Sequence, residues 1–212
     1  MPTCSDPPRD ELKPLPTASI AMATGPEAPR GLYARLLGSS WPLLAEPVCF
    51  AHATESPVCA RGRLRIARGR GHVARLLAAL LRLPRASGAA ETRLVVTSRG
   101  DVEHWCRTFD DRCLDTWQYQ TGDGELGERI GVIEFRFRLE ASEGSLVFRQ
   151  VEAAVVCGSV RVRVPAAWAP RVDAREDPAG ARRIGIHVRV VLPALGPLLT
   201  YDGIIDLEEH RE

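Results

Sequence analysis

Apolar and polar positions alternate along much of this chain, with a period of two. The run 58–68 places Ala60, Leu64 and Ile66 on one face, with arginines between them on the other. Because side chains two apart on a strand share a face, this period predicts a half-buried β-strand. The run 132–140 alternates in the same way, with apolar residues at its odd positions from 133 and charged residues at its even positions from 134.

Strand patterns fill most of the chain after residue 90, with short turns and no helical pattern between them. The predicted strands are 92–97, 102–109, 113–120, 125–130, 132–140, 145–156, 159–164, 171–176, 183–192 and 198–207. Short connections of this kind predict an antiparallel meander. A meander of about ten strands is expected to curl into a curved sheet or partial β-barrel.

Helical patterns precede most of these strands. The run 32–37 predicts a short helix that ends at Gly38. Pro42 is expected to open a second helix over 43–52, with Pro47 as a kink inside it, because proline lacks an amide donor. Trp41, Leu44 and Val48 are expected to pack inward there.

The run 71–83 is amphipathic and ends before a proline. Its helical spacing predicts a core-facing stripe made of Val73, Leu76, Leu77, Leu80 and Leu81. Together the patterns predict an α+β fold, mostly antiparallel β, with two or three N-terminal helices.

Residues 1–30 are rich in proline and are expected to form a disordered tail. A single β-rich domain is expected over 31–210, because the 212 residues suffice for one domain with its own core.

The net charge, hydropathy and cysteine content of the chain limit the kinds of molecule and compartment that we expect for it. The formal net charge of +1 gives no bulk attraction to nucleic acid or to acidic membranes. No apolar run reaches 18 residues, so no transmembrane helix is expected. The six cysteines are scattered, which favours reduced thiols and a cytoplasmic location.

Metal and cofactor sites are not expected from the spacing of candidate residues. No C-x-x-C pair occurs, and no histidines or cysteines have zinc spacing, although Cys106 and Cys113 face each other across a predicted hairpin. We expect free thiols there, with a disulfide as the minority alternative. The run 69–74 matches G-x-G-x-x-A, but the arginine-rich strand before it favours a tight turn over a dinucleotide site.

The most informative feature is a group of polar side chains on apolar faces. On the strand 102–109, Arg107 lies between Trp105 and Phe109, with the same parity. By the same rule, Glu128 and Tyr201 point inward from their own strands. Since a buried charge must be paired, Arg107 and Glu128 are predicted partners, with Tyr201 in hydrogen-bonding reach of either.

This group of residues has three interpretations. The first is a structural ion pair without chemistry. The second is a ligand site in which Arg107 orients the bound molecule. The third is catalysis with Glu128 as a general base, Arg107 as an oxyanion binder and Tyr201 as a proton donor.

Four short motifs resemble a bacterial family catalogued as domain of unknown function 4166. They are Leu32-Tyr-Ala-Arg-Leu-Leu-Gly38, Trp105-Cys-Arg-Thr-Phe109, Gly127-Glu-Arg-Ile-Gly131 and Leu195-Gly-Pro-Leu-Leu-Thr-Tyr-Asp-Gly203. The resemblance covers 31–208 and includes Trp105, Arg107, Phe109, Glu128 and Tyr201. It implies no established activity. Members resemble stand-alone domains, or C-terminal modules that follow an NAD-binding dehydrogenase-like domain or a membrane segment.

Three functions follow as hypotheses. The leading one is a non-catalytic module that binds a hydrophobic or lipid-like small molecule, since barrel mouths are common ligand sites. The alternatives are an enzyme on an apolar acid or carbonyl substrate that uses Glu128, Arg107 and Tyr201, and an accessory domain for a dehydrogenase-like partner. No cofactor is expected.

Overall fold

The computed structural model describes residues 31–53, 57–193 and 195–208, with the side chain of Leu80 excepted. The predicted tail, 1–30, lies outside the described residues, as do the last positions of the predicted domain. The helices are α1 (Leu32–Leu37), a 3₁₀ helix (Gly38–Leu43), α2 (Glu46–Ala51) and α3 (His72–Leu80).

Eleven strands make up most of the fold, and all of them pair antiparallel. They are β1 (Val58–Arg68), β2 (Ser87–Arg99), β3 (Val102–Phe109), β4 (Arg112–Gln120), β5 (Leu126–Ile130), β6 (Ile133–Ser142), β7 (Ser145–Cys157), β8 (Val160–Arg163), β9 (Arg171–Gly180), β10 (Arg183–Leu192) and β11 (Gly196–Glu208). Strand β9 is longer than the predicted strand 171–176, since residues 177–180 extend it as far as Gly180.

The sheet closes into a ten-stranded β-barrel. Strands β1 to β7 follow one another around the wall, β9 to β11 continue it, and β11 pairs with β1. The short strand β8 stands outside the ring, because it pairs only with β7. The α+β, mostly antiparallel prediction is confirmed, and the curved sheet closes completely.

Closure depends on the seam between β1 and β11, where two backbones approach closely. A Cβ atom at Gly62 would collide with the carbonyl oxygen of Ile204, and one at Gly203 would lie 2.6 Å from the carbonyl oxygen of Arg63. Gly203 also has a φ of +153°, which side chains rarely adopt. Glycine at both positions allows the two strands to pair, because any larger residue would place a Cβ atom against the backbone of the neighbouring strand.

One end of the barrel is closed by α1, the 3₁₀ helix and α2, and we call it the α1–α2 end. Tyr33 of α1 and Val48 of α2 are fully buried there. The predicted second helix is wrong in two respects. It begins at Glu46 and not after Pro42, which lies inside the 3₁₀ helix. Pro47 does not kink it but lies in its first turn, where a missing amide donor costs nothing. Leu44 is buried as predicted, and Trp41 is partly buried against the core.

The opposite end, which we call the α3 end, carries the helix that links β1 to β2. The predicted core face of this helix is partly wrong, since Val73 and Leu76 are 46% and 69% exposed. Ala74 and Ala78 are buried instead. The small residues allow the helix to lie close to the barrel, as at Gly69, which packs against Pro197 and Ala74.

A charged patch on the outer wall shows that outward parity does not ensure exposure. Glu134 of β6 is only 5% exposed, because it lies against Tyr119 and against Arg161 of β8. The Tyr119 hydroxyl donates to Glu134 at 2.6 Å, and Arg161 donates to it at 2.8 Å. Burial alone raises the pKa of Glu134, but these donors outweigh it and hold that pKa below its ordinary value.

We expect Gly62→Ala to lower the free energy of unfolding by about 2 kcal/mol or more, because the new methyl group collides with backbone atoms that cannot move away alone. Urea unfolding measures the loss. The matched control is Gly88→Ala on β2, where a Cβ meets nothing within 4 Å. That variant should change stability by less than about 1 kcal/mol. Equal effects of the two substitutions would contradict the close seam.

Candidate functional site

The barrel interior holds a cavity of about 120 Å³, lined mostly by apolar side chains. Its walls come from nearly every strand and from the chain that follows α3. The polar side chains on its surface include Tyr33, Arg107, Thr116, Gln118, Glu128, Glu176 and Tyr201. Strand parity points all five predicted site residues inward, and all five line the cavity: Trp105, Arg107, Phe109, Glu128 and Tyr201.

Strand β3 supplies the centre of the site. Trp105 and Phe109 are 3% and 2% exposed, and Arg107 lies between them on the same inner face. The Arg107 guanidinium carbon lies 4.8 Å from the centre of the Trp105 ring. A cation at this distance from an indole face is attracted by the ring quadrupole, so Trp105 helps to orient the guanidinium.

Arg107 and Glu128 form the predicted ion pair. Both terminal nitrogens of Arg107 lie 3.4 Å from Glu128 Oε1, and Nη1 also donates to the Thr116 hydroxyl at 2.8 Å. The two charged side chains are 16% and 15% exposed. Burial by itself opposes the charge on Arg107, but Glu128 outweighs it, so the pKa of Arg107 lies above its ordinary value.

Tyr201 lies further toward the α3 end, where its ring centre is 5.5 Å from that of Phe109. Among the described residues we find no hydrogen bond to its hydroxyl, so the predicted bond to Arg107 or Glu128 is not formed. Burial raises the pKa of Tyr201 to about 12. The hydroxyl therefore stays protonated at neutral pH and is able to donate to a bound molecule.

A second polar group lies toward the α1–α2 end, and the sequence analysis missed it. His52 Nε2 donates to Glu176 Oε2 at 2.7 Å, and the imidazole packs against the Tyr33 ring in a tilted arrangement with ring centres 3.8 Å apart. The Tyr33 hydroxyl in turn donates to Gln118 Oε1 at 2.6 Å. Tyr33 of α1 thus bonds to Gln118 of β4, and His52, the residue after α2, bonds to Glu176 of β9. These bonds connect the helices at the α1–α2 end to the barrel wall.

Glu103 completes this second group. It is 2% exposed, and its Oε2 accepts a hydrogen bond from the Trp105 indole at 3.0 Å. Its other oxygen, Oε1, is buried without a hydrogen-bond partner, as is Nδ1 of His52. Burial is the largest effect and raises the pKa of Glu103, although the neighbouring His52 and Trp105 oppose that rise.

Part of this missed group was accessible to sequence reasoning. Glu103 has the parity of Trp105, and Gln118 has that of the buried Thr116, so the period of two places both inside. Glu176 likewise follows Val172 and Ala174 on the inner face of β9. Tyr33 and His52 carry no such signal, because their positions depend on how the short helices dock on the barrel.

The interior charges are unequal within the described part of the chain. Glu103, Glu128 and Glu176 lie near Arg107 and the imidazole of His52, and the charge of Arg35 also acts on Glu103. Arg175 also touches the cavity wall, but it is 42% exposed and bonds to Asp177. An additional anion inside the barrel would therefore meet carboxylates that already occupy the available cations.

Fold and site together define a closed antiparallel β-barrel with a small, partly polar interior. The chain belongs to the family described as Domain of unknown function (DUF4166), whose model matches residues 44–205. The resemblance noted from the motifs is thus confirmed, and all five predicted site residues lie inside the match. No curated protein and no solved structure matches the chain.

Among the described residues, no helix combines the length and the apolar character that a membrane span requires.

Removing one member of the central ion pair should be more harmful than removing both. We expect Arg107→Met to lower the free energy of unfolding by about 3 kcal/mol, because Glu128 is left buried without its cation. Adding Glu128→Leu in the same chain should restore part of that loss. Denaturant unfolding of the wild type, both single variants and the double variant measures the coupling. Additive losses would show that the pair contributes no net interaction.

The buried carboxyl of Glu103 should make stability depend on pH. Because its pKa in the folded state is raised, the folded state binds more protons, so this residue favours folding at low pH. That contribution is lost as pH rises from the unfolded value through the folded pKa. Glu103→Gln keeps the acceptor for Trp105 but carries no charge.

We therefore expect Glu103→Gln to match the wild type near pH 4 and to exceed its stability by about 1 kcal/mol at pH 7. Thermal or urea unfolding across this range measures the difference. Glu143→Gln, on the exposed turn between β6 and β7, is the control and should show no such trend. A stability difference that stays constant with pH would contradict the assignment.

Proposed function

We propose that this protein is a non-catalytic binding module for a small, uncharged, hydrophobic or lipid-like molecule. The observation that carries the proposal is the enclosed apolar cavity into which Arg107 and the free Tyr201 hydroxyl both point. Ligand sites commonly combine an apolar wall with a few convergent polar groups that fix orientation. The cavity of this barrel has that composition.

The size of the cavity limits the ligand. A dry apolar cavity of about 150 Å³ holds a benzene molecule. At about 120 Å³, this cavity suits a ring or a short acyl chain, or the end of a longer chain whose remainder leaves the barrel. Drug-sized ligands usually occupy pockets of about 300 Å³ or more, so a bulky polycyclic ligand is disfavoured.

The charges of the interior indicate an uncharged ligand. Arg107 is already bonded to Glu128 and Thr116, so a ligand carboxylate would have to displace Glu128. A displaced carboxylate in an enclosed site is costly, because a buried charge needs a partner. A hydroxyl or carbonyl avoids this cost, since it accepts from a spare guanidinium N–H or from Tyr201.

Entry is proposed at the α3 end. The α1–α2 end is filled by buried side chains such as Tyr33, Val48 and His52. At the α3 end the cavity wall includes Leu81 and Leu83, from the chain that follows α3. Leu81 is only partly buried, so a movement of this short segment is enough to open the barrel.

Matched ligands test the proposal directly. Isothermal titration calorimetry at pH 8 compares octan-1-ol with octanoate, which differ in charge but little in size. We expect octan-1-ol to bind at least about tenfold more tightly, a difference of about 1.4 kcal/mol. Tighter binding of octanoate would contradict the uncharged class, and no binding of either would contradict the binding module.

Cavity filling supplies the control. Ala174→Phe places a ring on the inner face of β9 and should abolish octan-1-ol binding. Ile204→Phe adds the same ring on the outer face of β11, where the side chain is 47% exposed, and should leave binding unchanged. Native mass spectrometry of protein from its own host, with lipid extraction, then identifies the molecule that co-purifies with the wild type and not with Ala174→Phe.

The enzyme hypothesis remains a second proposal, favoured by one observation: Glu128, Arg107 and Tyr201 share the cavity. Glu128 is already bonded to Arg107, and a Tyr201 pKa of about 12 makes this residue a weak acid at neutral pH. Binding therefore accounts for the geometry better than catalysis. The accessory-domain hypothesis stays a prediction that requires a partner protein to test.

A further inference from the structure

A cluster of metal-binding side chains lies on the outer face of the β3–β4 hairpin. Cys106 on β3 pairs across the sheet with Asp115 on β4, and Cys113 lies two residues before Asp115 on the same face. Cys106 is half-buried and Cys113 is exposed. Because neighbouring residues on a strand point to opposite faces, this cluster lies on the other side of the sheet from Arg107.

The ligand atoms of the cluster are close together. One atom each from Cys106, Cys113 and Asp115 lies within 4.8 Å of the other two. The two sulfur atoms are 2.9 Å apart, and Cys113 Sγ lies 3.4 Å from Asp115 Oδ2. All three groups carry negative charge when they act as ligands, so a cation is the natural partner of the set.

His104 extends the cluster on the same face of β3. Its Nε2 lies 3.0 Å from Asp115 Oδ1, while its ring stacks on Trp117 with ring centres 5.2 Å apart. The two oxygens of Asp115 therefore face different partners, one the histidine and the other Cys113. In metal sites a ligating carboxylate is commonly held by a hydrogen bond from an outer-shell side chain, and His104 lies where it can hold Asp115 in this way.

We propose that Cys106, Cys113 and Asp115, with His104 beside them, bind a thiophilic divalent cation of the zinc class. Two thiolates exclude the hard cations Mg²⁺ and Ca²⁺, which prefer oxygen ligands. Three protein ligands leave a fourth tetrahedral position, which His104 fills by a small side-chain rotation or which water fills.

The geometry requires little rearrangement. Zinc–sulfur and zinc–oxygen bonds of about 2.3 and 2.0 Å put tetrahedral ligand atoms roughly 3.3 to 3.8 Å apart. The sulfur–oxygen separation of 3.4 Å already lies in this range, and the two sulfurs need to separate by less than 1 Å. Strand pairing fixes the backbone beneath all four residues, so the site is largely preformed.

This proposal departs from the sequence-based expectation that no metal site exists. Zinc motifs are usually recognised by short spacings along one segment. Here the ligands follow the pattern H-x-C-x₆-C-x-D and converge only because the hairpin brings two strands into register. The proposal is independent of the interior cavity, so either can fail without the other.

A disulfide between Cys106 and Cys113 is the competing interpretation. These cysteines are not directly opposite, since Cys106 pairs with Asp115 and Cys113 with Thr108. A disulfide also does not explain why Asp115 and His104 lie beside the two sulfur atoms. The metal site accounts for all four side chains, which is why the observations favour it.

Cobalt binding to the full chain, reduced and stripped of metal, tests the proposal. We expect one equivalent of Co²⁺ to give a thiolate-to-cobalt charge-transfer band, and Zn²⁺ to displace it and to raise the midpoint of thermal unfolding. Cys106→Ser and Cys113→Ser should each lose the band, and Asp115→Asn or His104→Ala should weaken binding by about tenfold to a hundredfold.

Two other cysteines provide matched controls. Cys157→Ser changes an exposed thiol on β7, and Cys4→Ser changes one outside the described residues. Both variants should keep the cobalt band. Circular dichroism checks folding, and Cys113→Ser alone suffices if Cys106→Ser does not fold, since Cys113 is exposed.

Three outcomes would overturn the metal site. One is the absence of a thiolate band in the reduced wild type. Another is a band that survives in the Cys106→Ser/Cys113→Ser double variant, which would place the metal elsewhere. The third is a reduced protein that does not bind cobalt but forms a Cys106–Cys113 disulfide in air. Peptide mass spectrometry detects this bond, and its formation would assign the two cysteines to redox chemistry.

Discussion

The pairing of β1 with β11 is the constraint on which the rest of this structure depends. An open sheet of this composition would leave its apolar face and two rows of edge hydrogen-bonding groups in water. Closure removes both edges and turns the inner face into an enclosed interior. The seam is possible because Gly62 and Gly203 have no side chains where the strands cross most closely. Every interior contact, from Arg107 to Tyr201, follows from that closure.

An enclosed interior makes each buried charge depend on a partner. Arg107 is held by Glu128, Thr116 and the face of Trp105, and His52 is held by Glu176. These pairs lie in separate layers along the barrel axis, one near its middle and one beneath the helical cap. Such pairs contribute little net stability compared with apolar packing, so their main effect here is to hold the polar groups that face the interior in fixed positions. The buried, unpartnered atoms of Glu103 and His52 belong to the layer beneath the cap.

The two faces of β3 carry different chemistry, and the alternation of a strand explains how they coexist. Trp105, Arg107 and Phe109 point into the cavity, while His104 and Cys106 point outward. Five side chains of one strand thus face either the apolar interior or the Cys106–Cys113–Asp115 cluster at the surface. Because β3 is paired on both sides, by β2 and β4, its backbone holds both sets in fixed register. Ligands on either face would rigidify the same strand.

The sequence by itself determined the strands, their antiparallel order and the inward parity of the five site residues, because side-chain direction in a strand follows a strict period of two. That rule failed where a neighbouring element covers an outward residue, as at Glu134, and where helix docking decides exposure, as at Leu76. Only the tertiary structure decided that the sheet closes, that His52 meets Glu176 and that two cysteines join Asp115. The physical reason is that parity specifies which face a side chain occupies, whereas its partners depend on strand register and on how the sheet curves.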